Sequence, residues 1–243
     1  MSSTWPLCPD GAATSFLEHA ITCHPLALAP FRVVELRALR SEYGVWLAGA
    51  PAASTPTGCL VCRNRRPYPP TPVTWDRHSE HAHGVAIDVN WDDNPLRIDG
   101  VLSTDFDRFG WEDGCDWLAA WLDPPVGLPV FFRWGGGWTT DLEQAFINLR
   151  HAGERIRWGV VDGMHFELAL SPAEVKAYDW RALIEEEEAV NKQMQDAIRF
   201  VDRLRDGLKP GKDQATVDGA AQRVADSVTW TERQREAVKA AKR

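Results

Sequence analysis

Two short segments, far apart along the chain, place side chains suited to metal chemistry among apolar residues. His81 precedes the run 84–90, which is rich in β-branched residues, and Asp88 lies inside that run. An aspartate in so apolar a predicted strand is costly to bury unless a cation or a hydrogen-bond network compensates its charge. A metal ion held jointly by Asp88 and His81 would meet that need.

The second segment is 162–168, in which His165 stands among apolar residues of another predicted strand. A catalytic zinc ion takes three protein ligands and keeps a fourth position for water, and two histidines with one carboxylate are a common set. Asp162, three residues before His165, is placed to accept a proton from that water. An isolated histidine of this kind is more often a hydrogen-bonded core residue, so each segment alone indicates little.

Together the two segments resemble a known family. Ser79-Glu-His-Ala-His-Gly-Val-Ala-Ile-Asp88 resembles the SxHxxGxAxD motif of the zinc peptidases that include D-alanyl-D-alanine carboxypeptidases, vancomycin-resistance dipeptidases and phage L-alanyl-D-glutamate endopeptidases. Asp162 to His165 resembles their second motif, an acidic residue three positions before a histidine. Three shorter matches lie in the expected order: Cys62-Arg63, Asp88-Val-Asn90 with Asn94-Pro95, and Trp134-Gly-Gly-Gly-Trp138.

The resemblance implies a role for each matching residue. The three ligands of one zinc ion would be His81, Asp88 and His165. Asp162 would be the general base that later protonates the leaving amine. Arg63 would lie near the substrate carbonyl or carboxylate, where a guanidinium stabilises negative charge, and Ser79 and Trp134 would line the cleft.

Two departures from the family pattern, and two further histidines, limit how far the family's residue roles apply to this chain. Asp162 is shorter than the glutamate of some members, and the stretch 139–159 is longer than usual, which predicts an insertion that shapes the cleft. His81 and His83 would share a face if they lay in a strand, so either could bind metal. The family pattern selects His81, and His83 and His78 are then interpreted as neighbouring or surface residues.

The elements that must position these residues are short and mixed. We predict strands at 84–90, at 130–133 and over 155–170 with an interruption near 162–163, a further short strand at 58–63, and helices at 25–43 (closed by Gly44), 115–122 and 141–150. Without a repeating βαβ period, this order predicts an α+β domain over residues 1–170, with a small antiparallel sheet flanked by helices.

From Ser171 onwards the sequence predicts a helical tail over 171–243. Pro172 stands at the first position of a predicted helix. Farther on, apolar residues follow each other at intervals of four and three residues: Val190, Met194, Ala197, Val201, Leu204 and Leu208. Such a stripe favours a coiled coil, or packing on the domain or on a second predicted helix near 217–228. The tail could form homo-oligomers or attach to phage structural proteins.

Composition narrows the partners and the compartment. The formal net charge of −8 argues against a nucleic-acid partner, and no run approaches the roughly 18 apolar residues of a membrane span. The N-terminus has no signal-peptide pattern. The five cysteines are odd in number, so we expect no disulfide framework, and Cys59 and Cys62 are interpreted as a local CxxC disulfide or two packed thiols.

These observations lead to one expectation with two alternatives. The chain is expected to be a zinc-dependent peptidoglycan peptidase, encoded by a phage and made in the host cytoplasm, that acts on the cell wall as a virion component or as a holin-released lysin. The alternatives are a bacterial D,D-carboxypeptidase and a catalytically inactive structural or wall-binding module of a phage particle.

Overall fold

The computed structural model describes residues 5–55, 57–64, 72–74, 78–154 and 159–207, with side chains as far as residue 200. Helices make up 41% and strands 17% of the structure, and small antiparallel sheets are flanked by helices. The predicted α+β class is therefore confirmed.

The main sheet has four antiparallel strands in the order β3-β4-β8-β6. Its members are β3 (Thr57–Gly58), β4 (Ala86–Val89), β8 (His165–Leu168) and β6 (Phe132–Trp134). Two smaller ribbons accompany it, formed by β1 (Ala12–Phe16) with β2 (His19–Cys23) and by β5 (Leu96–Arg97) with β7 (Val161–Asp162). The hairpin β1-β2 was not predicted from the sequence.

The register between β4 and β8 sorts apolar and polar side chains onto opposite faces of the sheet. Ile87 pairs with Phe166, and the next pair along the strands is Asp88 with His165. Because successive side chains of a strand point to opposite faces, the first pair belongs to the core face and the second to the polar face. The sheet thus brings two of the predicted ligands side by side.

Helices cover the core face. They are α1 (Leu28–Ala38), α2 (Glu42–Gly49), α3 (Trp111–Leu122) and α4 (Leu142–Arg150). Trp121 of α3 stacks on Phe166 with ring centroids 4.2 Å apart, and Trp117 packs edge-on to both rings. Large aromatic side chains contribute much of a core's packing energy, so this cluster anchors β8 and hence His165.

The helix predicted over 25–43 is broken into two. After a 3-10 turn at Pro25–Ala27, α1 ends at Ala38 and α2 begins at Glu42. Ser41 caps α2, since its Oγ accepts a hydrogen bond from the amide of Gly44 at 3.0 Å. Gly44 was expected to close a helix, but it lies in the first turn of α2, where a Cβ would clash with the carbonyl oxygen of Ala38 at 2.0 Å.

The cysteines pair differently from the prediction. A disulfide joins Cys8 to Cys62, across 54 positions of sequence. Cys59 is a buried free thiol, and burial, followed by the neighbouring Cys23, raises the pKa of that thiol well above its usual value. The interpretation of Cys59 and Cys62 as a local pair was therefore wrong, because Cys62 bonds to a segment that the fold brings in from the N-terminus.

The chain divides into compact units after Glu187 rather than at the predicted boundary of 170. The capping box of Ser171 starts α5 (Pro172–Ala177), whose Val175 is buried, and Trp180 of α6 (Trp180–Gly207) joins the same core. Glu187 binds Arg37 at 2.7 Å. The segment 171–187 thus belongs to the first unit.

The second unit is residues 188–243. Helix α6 confirms the helical prediction as far as Gly207. Leu208 and the predicted helix near 217–228 lie outside the described residues, and the coiled coil stays a prediction. Among the described helices, none has the length and apolar character that a membrane crossing requires.

Candidate metal centre

Three donor atoms from the two sequence motifs converge on one point. His81 Nε2 lies 2.9 Å from Asp88 Oδ1 and 3.1 Å from His165 Nδ1, which is itself 3.0 Å from Asp88 Oδ1. Tetrahedral ligands about 2.0–2.1 Å from a zinc ion are separated by about 3.3 Å. The donor triangle therefore has nearly the dimensions of a metal site, and this cluster can hold a metal ion.

The fold fixes the three ligands by different means. Asp88 and His165 are cross-strand partners of β4 and β8. His81 lies in a 3-10 turn, Glu80–His83, which ends at Gly84 with φ +69°. A side chain at Gly84 would also meet the amide of His24 at 2.6 Å. Glycine at that position lets the chain turn from His81 directly into β4.

Neighbouring acceptors determine which nitrogen of each histidine faces the cluster. His81 Nδ1 donates to the carbonyl oxygen of Cys59 at 2.6 Å, and His165 Nε2 donates to Glu167 Oε2 at 3.1 Å. Arg133 in turn donates to Glu167 Oε1 at 3.2 Å. In their neutral forms both rings therefore direct a lone pair at the same point as the Asp88 carboxylate, an arrangement typical of histidine ligands.

Three lone-pair atoms about 3 Å apart repel one another unless a positive charge lies between them. The pKa values of His165 and Asp88 reflect this requirement for a positive charge. Burial alone would lower the pKa of His165, but hydrogen bonds to Asp88 and Glu167 raise it to about 10. Burial alone would raise the pKa of Asp88, but His81 and His165 lower it well below its usual value. Without metal, a proton on His165 supplies the positive charge.

This charge balance predicts that metal binding releases a proton. The pKa of His165 in the metal-free protein is about 10. At a lower pH the ring therefore holds a proton that a metal ion must displace. Apparent zinc affinity should therefore fall about tenfold for each pH unit lowered between pH 9 and pH 7. Calorimetric titration in buffers of different ionisation enthalpy would measure about one proton released per ion at pH 7.5, and an affinity independent of pH would contradict the arrangement.

Asp162 lies beside the cluster as a buried carboxylate. It is 8% exposed, and its Oδ1 makes no hydrogen bond to any group in the described part of the chain. Burial raises the pKa of Asp162 to about 6, with a further increase from Asp88, while His165, His81 and Arg63 oppose the rise. Such a carboxylate is ionised at neutral pH and is available to accept a proton.

Gly135 links the backbones of Asp162 and His165. Its amide donates to the carbonyl oxygen of His165 at 2.8 Å, and its own carbonyl oxygen accepts from the amide of Asp162 at 2.8 Å. A Cβ at this position would lie 2.5 Å from the Asp162 carbonyl oxygen, 2.9 Å from the Asp162 Cβ and 3.1 Å from the His165 Cβ. Only glycine therefore lets the two backbones approach so closely.

Arg63 and Ser79 lie on neighbouring strand-like segments. The Ser79 amide donates to the Arg63 carbonyl oxygen at 3.1 Å, and both residues are partly exposed. Arg63 is close enough to the cluster to lower the pKa of Asp162. The structure thus brings Arg63 near the acidic group of the site, and its role towards a substrate stays a prediction.

Trp134 does not line a cleft, and this prediction was wrong. It has no exposed surface, and its Nε1 donates to the carbonyl oxygen of Gly163 at 2.9 Å beneath the second motif. In β6 it shares the core face with Phe132 because the two are separated by two positions. The alternation of apolar and charged residues in Phe132-Arg133-Trp134 is visible in the sequence and is typical of a strand whose tryptophan faces the core.

Trp138, at the other end of the same glycine segment, is the tryptophan that faces the metal centre. Its ring centroid lies 5.1 Å from that of His165, and its side chain is partly exposed. Its Nε1 donates to the Val160 carbonyl oxygen at 3.2 Å. The motif WGGxW indicated this residue, but the sequence alone did not tell which of its two tryptophans turns towards the site.

The long stretch 139–159 contributes to the core. Its described part contains α4, capped by Asp141, whose Oδ1 accepts from the Gln144 amide at 3.1 Å. Ala145 and Leu149 of α4 are buried. Residues 155–158 lie outside the described residues, so the predicted effect of this insertion on the cleft stays a prediction.

Comparison of the chain with protein-family models, with curated proteins and with solved structures gives no match. A functional proposal therefore depends on the geometry of the metal centre and on the motif resemblance.

Proposed function

We propose that the chain is a zinc-dependent peptidoglycan peptidase, encoded by a phage, that hydrolyses an amide bond next to a D-amino acid in cell-wall stem peptides. One observation carries the proposal: the ligands implied by the family motifs place three donor atoms within 3.1 Å of one another. The pairing of β4 with β8 brings Asp88 and His165, 77 positions apart in sequence, into this triangle.

Zinc is the metal that the donor set favours. Two imidazoles and one carboxylate leave a fourth tetrahedral position open, as in catalytic rather than structural zinc sites. The carboxylate of Glu167 behind His165 matches the support that histidine ligands of zinc usually receive. Such outer carboxylates orient the ring and increase its basicity.

A bound zinc ion would polarise the scissile carbonyl and lower the pKa of water. The chain's own residues would handle the proton. At neutral pH the Asp162 carboxylate, with a pKa of about 6, accepts a proton and later returns it to the leaving amine. Proton transfer of this kind typically contributes about 10²–10⁴-fold to a rate.

The substrate would be oriented by groups around this centre. Arg63 offers a cation for the developing negative charge of the reacting carbonyl or for a terminal carboxylate. Ser79 would contact the peptide on the same side. Trp138, whose ring adjoins His165, would take the cleft-wall position that we expected of Trp134.

The remaining expectations concern biological setting. A virion component would need a means of attachment, which the C-terminal helices could supply through phage structural proteins or a second copy of the chain. A holin-released lysin would need no attachment to the particle. Detection of the protein in purified particles by mass spectrometry would support the first setting.

The function is tested on purified murein. The zinc-loaded protein should release soluble muropeptides, lose this activity in excess chelator and recover it when zinc is restored. Mass spectrometry of the products separates cleavage between L-Ala and D-Glu, cleavage of a cross-bridge and removal of a terminal D-Ala, the last being the carboxypeptidase outcome. Zinc-loaded protein that binds murein without cleaving it would contradict the proposal and favour a wall-binding module.

A further inference from the structure

A second group of metal-ligating side chains lies beside the first but shares no residue with it. His78, Glu80 and His83 each offer a donor atom, and these atoms all lie within 4.8 Å of one another. His78 Nε2 is 3.9 Å from Glu80 Oε1. The rings of His78 and His83 meet edge to face, with centroids 4.5 Å apart. This set of two imidazoles and one carboxylate repeats the composition of the first cluster.

The 3-10 turn explains why neighbouring residues serve two different clusters. With three residues per turn, side chains at positions i and i+3 eclipse each other, so Glu80 and His83 share one side of the turn. His81 points away from them, towards Asp88. His81 and His83 therefore do not share a face, as they would have done in a strand. His78 is brought alongside by a β-bridge with Asn64.

His83 is oriented in the same way as a histidine ligand. Its Nδ1 donates to the carbonyl oxygen of Pro6 at 2.9 Å, which leaves the lone pair on Nε2 when the ring is neutral. The Pro6 segment is held in place because the Cys8 amide donates to the Ala82 carbonyl oxygen at 2.7 Å and Cys8 is bonded to Cys62. His81 has the same arrangement, with Cys59 as its backbone acceptor.

We propose that His78, Glu80 and His83 form a second metal site, which binds a divalent transition-metal ion of the zinc type. His83 is buried, whereas the side chains of His78 and Glu80 are 14% and 37% exposed, so the ion enters from the surface. Imidazole and carboxylate ligands suit zinc and its neighbours in the transition series. The bound ion would tie the Pro6 segment, through His83, to the strand-like segment that carries Ser79.

The second site should be the weaker of the two. His78 Nε2 and Glu80 Oε1 are 3.9 Å apart, farther than the 2.9–3.1 Å between donor atoms of the first cluster. Exposed side chains must also be ordered when the ion binds, which costs conformational entropy. We therefore expect two zinc ions per chain, with the second bound at least about tenfold more weakly than the first.

The test is zinc stoichiometry, measured on the full chain by competition with a chromophoric chelator and by elemental analysis at buffered free zinc. Wild type should bind two ions. His78→Ala and Glu80→Gln should each lose the weaker ion and keep the tight ion, and His165→Ala should lose the tight ion and keep the weaker one. His78 and Glu80 are suited to this test because both are partly exposed and their replacement leaves the buried His83 in place.

A matched control is His151→Ala, because His151 pairs with Glu154 at 2.9 Å and the described residues place no third metal ligand beside this pair. This variant should retain both ions. Binding of a single ion by wild type, retention of two ions by His78→Ala or Glu80→Gln, or loss of the weaker ion in His151→Ala would each overturn the second site. None of these outcomes bears on the peptidase proposal, which depends on the tight ion and on murein cleavage.

Discussion

Replacing His165 by alanine is expected to abolish tight zinc binding and to reduce murein hydrolysis by about 10³-fold or more, equivalent to at least about 4 kcal/mol of transition-state stabilisation. His165 supplies one corner of the donor triangle and also links Asp88 to Glu167. Its removal takes away the partner that the Asp88 and Glu167 carboxylates share. We therefore expect both the ligand set and the local charge balance to fail together.

Two controls separate loss of the metal from loss of the fold. His151→Ala removes an exposed histidine that pairs with a carboxylate and should retain full activity. His165→Gln keeps a hydrogen-bonding side chain of similar length and should remain folded by near-ultraviolet circular dichroism while lacking tight zinc. Retention of the tight ion, or of more than about a tenth of the wild-type activity, in a folded His165 variant would refute the assigned ligand.

Asp162→Asn is expected to change stability and activity in opposite directions. Burial raises the pKa of Asp162 from 3.8 to about 6 in the folded protein. A raised pKa means that the stabilisation is fully present below pH 3.8 and is lost as the pH rises through about 6. At pH 8 the ionised carboxylate therefore costs up to about 3 kcal/mol, and the neutral amide avoids that cost.

The stability arm is measured by urea unfolding of the metal-free protein in chelator. At pH 8 the free energy of unfolding of Asp162→Asn should exceed that of wild type by about 1–3 kcal/mol, and the difference should disappear below pH 4. A variant less stable than wild type at pH 8 would show that the carboxylate serves the fold rather than the reaction.

The activity arm uses the zinc-loaded variant. We expect murein hydrolysis to fall by about 10²–10⁴-fold, the usual contribution of a general base, with tight zinc binding retained. A loss smaller than tenfold would indicate that another group accepts the proton.

Local sequence patterns predicted that Asp88 and His165 turn away from the core face of the sheet, because strand geometry is local. An aspartate between Ile87 and Val89 must face away from both of them, and the same alternation sets His165 opposite Phe166. The helix that begins at Pro172 was likewise predicted from residues within one helical turn. These features required no knowledge of distant contacts.

What the sequence did not predict depends on distant contacts. Cys62 bonds to Cys8 rather than to the nearby Cys59, and no local rule specifies a partner 54 positions away. The hairpin β1-β2 was missed because only Phe16 of β1 is buried, so the strand has little apolar alternation. The turn that separates His81 from His83 depends on Gly84 fitting against His24.

Gly135 gives a way to judge other chains that share this architecture. A larger residue at position 135 would push the backbones of Asp162 and His165 apart. A chain with a larger residue at this position could not keep its acidic residue and its histidine at the same backbone separation.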